Sequence, residues 1–172
     1  MASTPAELFG FLDRLEIPYS TVPHPPLFTV EQSRALRGTI PGGHTKNLFL
    51  KDKSGAYFLV VASEDAVIDL KGLHRVLGAK GRFSFGSAND LWELLGVEPG
   101  SVTPFAVIND TARKVAVVLD SAMLAHELLN YHPLVNTMTT SISRAGLMTF
   151  LKTCGHEPRV EAISEPALAP TL

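Results

Sequence analysis

KNLFLKDKSGAYFLVVA, residues 46–62, is the stretch on which the fold turns. Two apolar runs flank a polar Lys-Ser-Gly turn at 53–55, and that pattern predicts a β-hairpin. The approach to it, GGHTKNLFLK at 42–51, sets Lys46 where the chain goes inside. Lysine is rarely buried without a partner. Two readings stand: the side chain snorkels to water, or something negative is meant to meet it.

Toward the N-terminus, Thr4, Pro5 and Glu7 form a capping box ahead of a helix whose apolar face carries Leu8, Phe9, Leu12 and Leu15. PYSTVPHPP, 18–26, is extended because prolines forbid helix and restrict their predecessors. TVEQSRALRG, 29–38, predicts a second helix with Thr29 as cap and Gly38 as stop. Beyond the hairpin, DLKGLHRVLG (69–78) reads as a short helix ended by Gly78, and RFSF (82–85) as a short strand. SANDLWELLG (87–96) is a helix capped by Ser87, with Gly96 as its stop. FAVIND (105–110) and KVAVVLD (114–120) read as a strand pair. LLNYHP and NTMTTSI read as strands, Ser143 starts a last helix, and PRVEAI (158–163) is a final strand. Strands and helices mix without regular alternation. The expected fold is α/β: one domain over 1–163, a mixed, curved, largely antiparallel sheet surrounded by helices, and a loose tail at 164–172.

The 172 residues are 45% hydrophobic and 19% charged, with a formal net charge of −2. That balance is globular rather than disordered. Broad, non-specific binding to DNA calls for a basic surface, so any nucleic-acid contact here is local. No basic region followed by an apolar leader opens the chain, and the longest apolar runs are too short to span a bilayer. Neither a membrane nor DNA is expected as a partner. A single cysteine, Cys154, excludes an internal disulfide and fits the cytoplasm.

Six histidines, His24, His44, His74, His126, His132 and His156, are scattered without metal-ligand spacing, so no metal is expected. Cys154 falls at a helix C-terminus, where the dipole disfavours a thiolate. No G-x-S-x-G elbow, P-loop or G-x-G-x-x-G fingerprint is present. Lys71, Arg75, Lys80 and Arg82 lie in a stretch, 71–82, that holds no acid. It reads either as a solvated face or as a phosphate-binding surface. In GSVTP, 100–104, Gly100 lets the backbone approach a ligand closely and Pro104 stiffens the exit.

HTKNLFL (44–50), GSVTP, FAVIND and YHPLVNTMTTSI (131–142), in this order, resemble the YbaK/prolyl-tRNA-editing domain family over about residues 20–163. PGGHTKNLFLKD and HPLVNTMTTSI resemble its freestanding alanyl-tRNA(Pro) deacylase branch. The resemblance implies trans-editing: hydrolysis of mischarged tRNA(Pro), alanine first, with the acceptor end of that tRNA as partner and prolyl-tRNA synthetase as a second. It implies Lys46 and Gly100 as catalytic residues, and Asn47, Pro104, His132 and Asn136 around the substrate. His132 also reads as a structural histidine before Pro133. Lys71, Arg75, Lys80 and Arg82 are the candidates for tRNA contact. The family is thought to use no side-chain nucleophile, and no cofactor is implied. Removal of cysteine or serine, and a non-catalytic binding module of the same fold, are the alternatives. Monomer and homodimer both stay open.

Overall fold

Residues 46–62 fold as the hairpin their pattern predicts. The computed structural model describes residues 2–26, 30–37 and 39–165. In chain order these form α1 (Pro5–Arg14), β1 (Tyr19–Pro23), α2 (Val30–Arg37), β2 (Gly43–Lys51), β3 (Tyr57–Ser63), α3 (Leu73–Leu77), β4 (Ser84–Phe85), α4 (Ala88–Leu95), β5 (Val115–Asp120), β6 (Leu128–Tyr131), β7 (Met138–Ser143), α5 (Arg144–Thr153) and β8 (Arg159–Glu161). Short 3-10 segments cover Pro104–Asn109 and Met123–Ala125. Among the described residues no helix is long and apolar enough to cross a membrane.

The hairpin turn is built on Asp52. Its carboxylate accepts from the Ser54 hydroxyl at 2.7 Å and from the N–H groups of Ser54, Ala56 and Lys80 at 2.9, 2.9 and 3.1 Å. Burial alone would raise the carboxyl pKa. The donors outweigh it and hold the group at about 2. The same bond from Lys80 ties the start of the 80–85 segment to the hairpin.

Strand order is β1-β7-β6-β2-β3-β5-β8, with β4 also on β2. The sheet is mixed. β1–β7, β6–β7, β2–β3 and β2–β4 are antiparallel, while β2–β6, β3–β5 and β5–β8 are parallel. One edge of β2 is interrupted. It pairs with β6 only at Gly43 and His44, and with β4 only at Leu50 and Lys51. Between them, Lys46, Asn47 and Leu48 have a strand neighbour on the β3 side alone.

The half of the sheet around β3 is covered on both faces. Phe49, Leu59, Val61, Val115, Val117 and Leu119 point into the larger core, with Phe105 and Phe150 at its centre. The alternate residues Leu50, Phe58, Val60 and Val118 point into a smaller one, closed by Leu73 and Leu77 of α3 and by Ile163. Such two-sided burial explains why these strands read as continuous apolar runs.

Several expectations need correction. FAVIND is not a strand. Thr103 caps a 3-10 turn, its Oγ1 accepting from the Phe105 N–H at 3.3 Å, and Pro104 supplies its first residue. Residues 104–107 are buried all round, and a fully buried run looks alike in either conformation. β5 instead lies between β3 and β8. The extended 18–26 stretch contains β1, an edge strand that tolerates Pro23 at its end. α3 begins only at Leu73, although Gly78 stops it as expected, at φ 68°. The capping box at Thr4 and the caps at Ser87 and Ser143 all form. The cap and stop expected at Thr29 and Gly38 lie outside the described residues. Of the expected tail, Ser164 bridges Ile68 and Glu165 donates its N–H to the Val67 carbonyl at 2.8 Å. Residues 166–172 lie outside the described residues.

Candidate functional site

Alternation along β2 decides where each side chain goes. Thr45, Asn47 and Phe49 face the larger core, and Lys46, Leu48 and Leu50 face the smaller one. The Lys46 stem therefore continues an apolar row. Its ammonium donates to the Ala66 carbonyl, in the loop after β3. Among the described residues no carboxylate forms an ion pair with it. The question raised by this lysine has a physical answer. The ammonium meets a neutral acceptor at the interrupted edge of β2.

Asn47 points the other way. Its Oδ1 is buried and has no hydrogen-bond partner among the described residues. Thr45 Oγ1 donates to the Asn130 carbonyl at 2.6 Å. The buried Asn130 amide donates to the Pro41 carbonyl at 3.1 Å and the Gly43 carbonyl at 3.4 Å, and its Oδ1 accepts from Ser141 Oγ. Asn130 thus pins the start of β2 against β6 and β7. Nothing in the sequence marks it out, because its partners come from two other segments, 41–45 and β7.

Gly100 sits at φ 91°, a left-handed conformation that side chains avoid. A Cβ there would lie 3.7 Å from Asn136 Nδ2, so the structure brings Gly100 and Asn136 together. Asn136 and Ser101 line a cleft of about 460 Å³ that also carries Trp92, which is 54% exposed. Pro104 is buried at the start of its 3-10 turn. Among the described residues no hydrogen bond joins Lys46 to the 97–104 loop.

His132 follows the end of β6 and is half-buried. Its Nδ1–H donates to the Met138 carbonyl at 3.1 Å, which leaves Nε2 with a lone pair. Burial holds the ring pKa below its ordinary value and the nearby His24 adds to that, while the Met138 carbonyl works in the opposite direction. The His24 ring lies 6.3 Å away, with Nε2 joined to Thr139 Oγ1 at 2.8 Å. Lys71, Arg75, Lys80 and Arg82 are exposed, and Phe85 beside them is 63% exposed. Burial pushes the Cys154 thiol up to about 11, which leaves it protonated and a poor nucleophile. His156 meets Asp110 at 2.9 Å, and Asp110 also accepts from the Lys114 and Val115 N–H groups, an arrangement that ties the α5 exit to β5. Among the described residues no group of three His, Cys, Asp or Glu side chains is placed to hold a metal.

Comparison with known proteins gives this geometry a setting. The family model described as "Aminoacyl-tRNA editing domain" matches residues 24–150. A zebrafish (Danio rerio) prolyl-tRNA synthetase associated domain-containing protein 1 is 40% identical over 154 residues, covering 88% of this chain and 83% of that protein. The prolyl-tRNA editing protein ProX of Acetoanaerobium sticklandii is 35% identical over 146 residues, covering 84% and 88%. A crystal structure proposed to be a trans-editing enzyme for prolyl-tRNA synthetase superposes with a TM-score of 0.70 at 18% identity, over 96% of this chain and 100% of that one. That last likeness shows a shared fold.

Proposed function

The chain belongs to the aminoacyl-tRNA editing domain family, and from that premise we propose that it hydrolyses mischarged tRNA(Pro), removing alanine. The names of the two relatives support the choice of tRNA. The observation that carries the catalytic reading is the Lys46 ammonium, held by a neutral carbonyl at an interrupted strand edge. A cation so placed can hold a terminal phosphate or stabilise an oxyanion.

In this reading water adds to the ester carbonyl carbon, and the carbonyl oxygen takes up negative charge. The bond to the ribose oxygen then breaks, and that oxygen receives the proton the water gave up. Lys46 stabilises the charge. The main chain at Gly100 is exposed by its left-handed turn and offers a further polar contact. The lone pair on His132 Nε2 accepts the proton of the water and returns it to the leaving oxygen. Asn136 walls the pocket and Pro104 stiffens the loop, while Asn47, turned toward the larger core, stands behind Lys46 at the strand edge. Cys154 takes no part, and the reaction as written uses no cofactor. Lys71, Arg75, Lys80 and Arg82 hold phosphates of the acceptor end. The work belongs with translation in the cytoplasm, beside prolyl-tRNA synthetase.

A second pocket is needed because a site shaped for proline excludes a smaller residue by only about 1–3 kcal/mol. The test is deacylation of Ala-, Cys-, Ser- and Pro-tRNA(Pro) side by side. Alanine should be released fastest and proline spared. Lys46→Ala should slow release by about 10²-fold or more with little change in melting temperature. Fastest release of cysteine or serine would reassign the substrate. Binding of tRNA without release would leave a non-catalytic module.

A further inference from the structure

A second cleft, of about 660 Å³, opens at the C-terminal ends of the parallel strands β3 and β5. Crevices at the carboxyl ends of parallel strands are the usual ligand sites of α/β sheets. The lining is mostly small, with Ala66, Ala122 and Ala162, and it includes Asp120, the last residue of β5. Asp120 is fully buried, at 0% exposure. One of its carboxylate oxygens accepts from the Ile163 N–H at 3.3 Å. The other is buried and has no hydrogen-bond partner among the described residues. A carboxylate taken from water without full pairing is costly, so this oxygen is built to receive a donor.

Register connects this carboxylate to the proposed catalytic lysine. Lys46 lies opposite Ala62, and Val61 lies opposite Leu119. One further step along β3 and β5 sets Ala62 beside Asp120. Lys46, Ala62 and Asp120 thus form one row across three adjacent strands, on the face of the smaller core. The outer two backbones are about 10 Å apart, with only a methyl group between them. Ala66, whose carbonyl holds the Lys46 ammonium, also lines the cleft. A cation and an unpaired carboxylate at this spacing suit a ligand that carries an ammonium close to a carbonyl whose oxygen takes up negative charge during reaction.

We infer that Asp120 receives the α-ammonium of the aminoacyl group, and so fixes the ester relative to Lys46. The identity of the ligand rests on the deacylase reading; the presence of an ammonium site does not. The experiment compares kcat/KM for Ala-tRNA(Pro) and N-acetyl-Ala-tRNA(Pro), in wild type and in Asp120→Asn. Wild type should prefer the free amine by roughly tenfold or more, the discrimination that a hydrogen bond between charged groups supplies. In Asp120→Asn the ratio should fall toward one. A wild-type ratio near one overturns the inference and leaves the deacylase reading intact. An unchanged ratio in a variant slowed equally on both substrates also overturns it, because Asp120 would then be structural.

A second measurement needs neither turnover nor a folded variant. Backbone amide shifts of wild type are followed during titration with alaninamide and with N-acetylalaninamide. Shifts around residues 62–66 and 120–122 with the first probe alone support the ammonium site, even if no ester is cleaved and the deacylase reading falls. Equal shifts with both probes, or none with either, overturn it.

Discussion

The role proposed for Lys46 depends on its acceptor. Paired with a carboxylate it would be a structural ion pair. Bonded to the Ala66 carbonyl, it has no ion-pair partner among the described residues, which suits the charge-stabilising role proposed for it. His132 is poised in a different way, through its tautomer. With Nδ1–H committed to Met138, only the neutral ring offers Nε2 as a base. Burial lowers its pKa, so the neutral form already dominates at pH 7. The rate should therefore rise with pH through a value below the ordinary histidine range near 6.5 and be level at neutrality. A pH–rate profile of His132→Asn should lack that limb; a limb that persists assigns it to another group. Gly100 poses a conformational question. A Cβ there finds ordinary contact distance, yet φ 91° strains any side chain. Gly100→Ala should cost about 1–2 kcal/mol in unfolding free energy, read from urea melts, and should shift the loop enough to lower kcat/KM.

At the scale of elements, the hairpin turn makes the clearest prediction. The folded Asp52 pKa of about 2 lies below the unfolded value near 3.9. The carboxylate therefore stabilises the fold above roughly pH 4, and that contribution disappears as pH falls toward 2. Asp52→Ala should lower the urea midpoint at pH 7, at a cost of about 1–3 kcal/mol for donors left without their acceptor. Its stability should also fall less steeply in acid than that of wild type. The hairpin and the helix caps were legible because each is written in neighbouring residues: two apolar runs and a turn, or a Thr-x-x-Glu box. The 3-10 turn at 104–109 was not, because an apolar run buried on every side carries no period. β1 hid among prolines that an edge strand tolerates. Of the candidate site, Lys46 and Gly100 stood out through short motifs. Asn130 and Asp120 did not, because their roles depend on strands that meet only in the folded sheet.

Across the whole molecule, charge is divided where the net charge of −2 suggests uniformity. Lys71, Arg75, Lys80 and Arg82 are exposed within one stretch, and Lys46 lies toward the start of β2. Five residue steps of strand lead from Lys46 to Lys51, about 17 Å, and Lys80 is bonded to the turn just past it. A tRNA whose ester lies at Lys46 would pass its acceptor stem along this direction. Each Lys or Arg of the stretch that grips a phosphate should, when changed to Ala, reduce the slope of log K against log salt by about 0.7–0.9. Filter binding of tRNA(Pro) across a salt series measures it, and unchanged slopes would mark the stretch as merely solvated.

The pairing of β2 with β6 bears on how the protein is made. It joins Gly43 and His44 to Leu129 and Asn130, and β1 depends likewise on β7. During synthesis the first half of the chain leaves the ribosome with those neighbours still untranslated. A nascent chain halted before Leu128 can close the hairpin, but it lacks the β6 residues that pair with the start of β2. The sheet around Lys46 is therefore complete only when the second half of the chain has emerged.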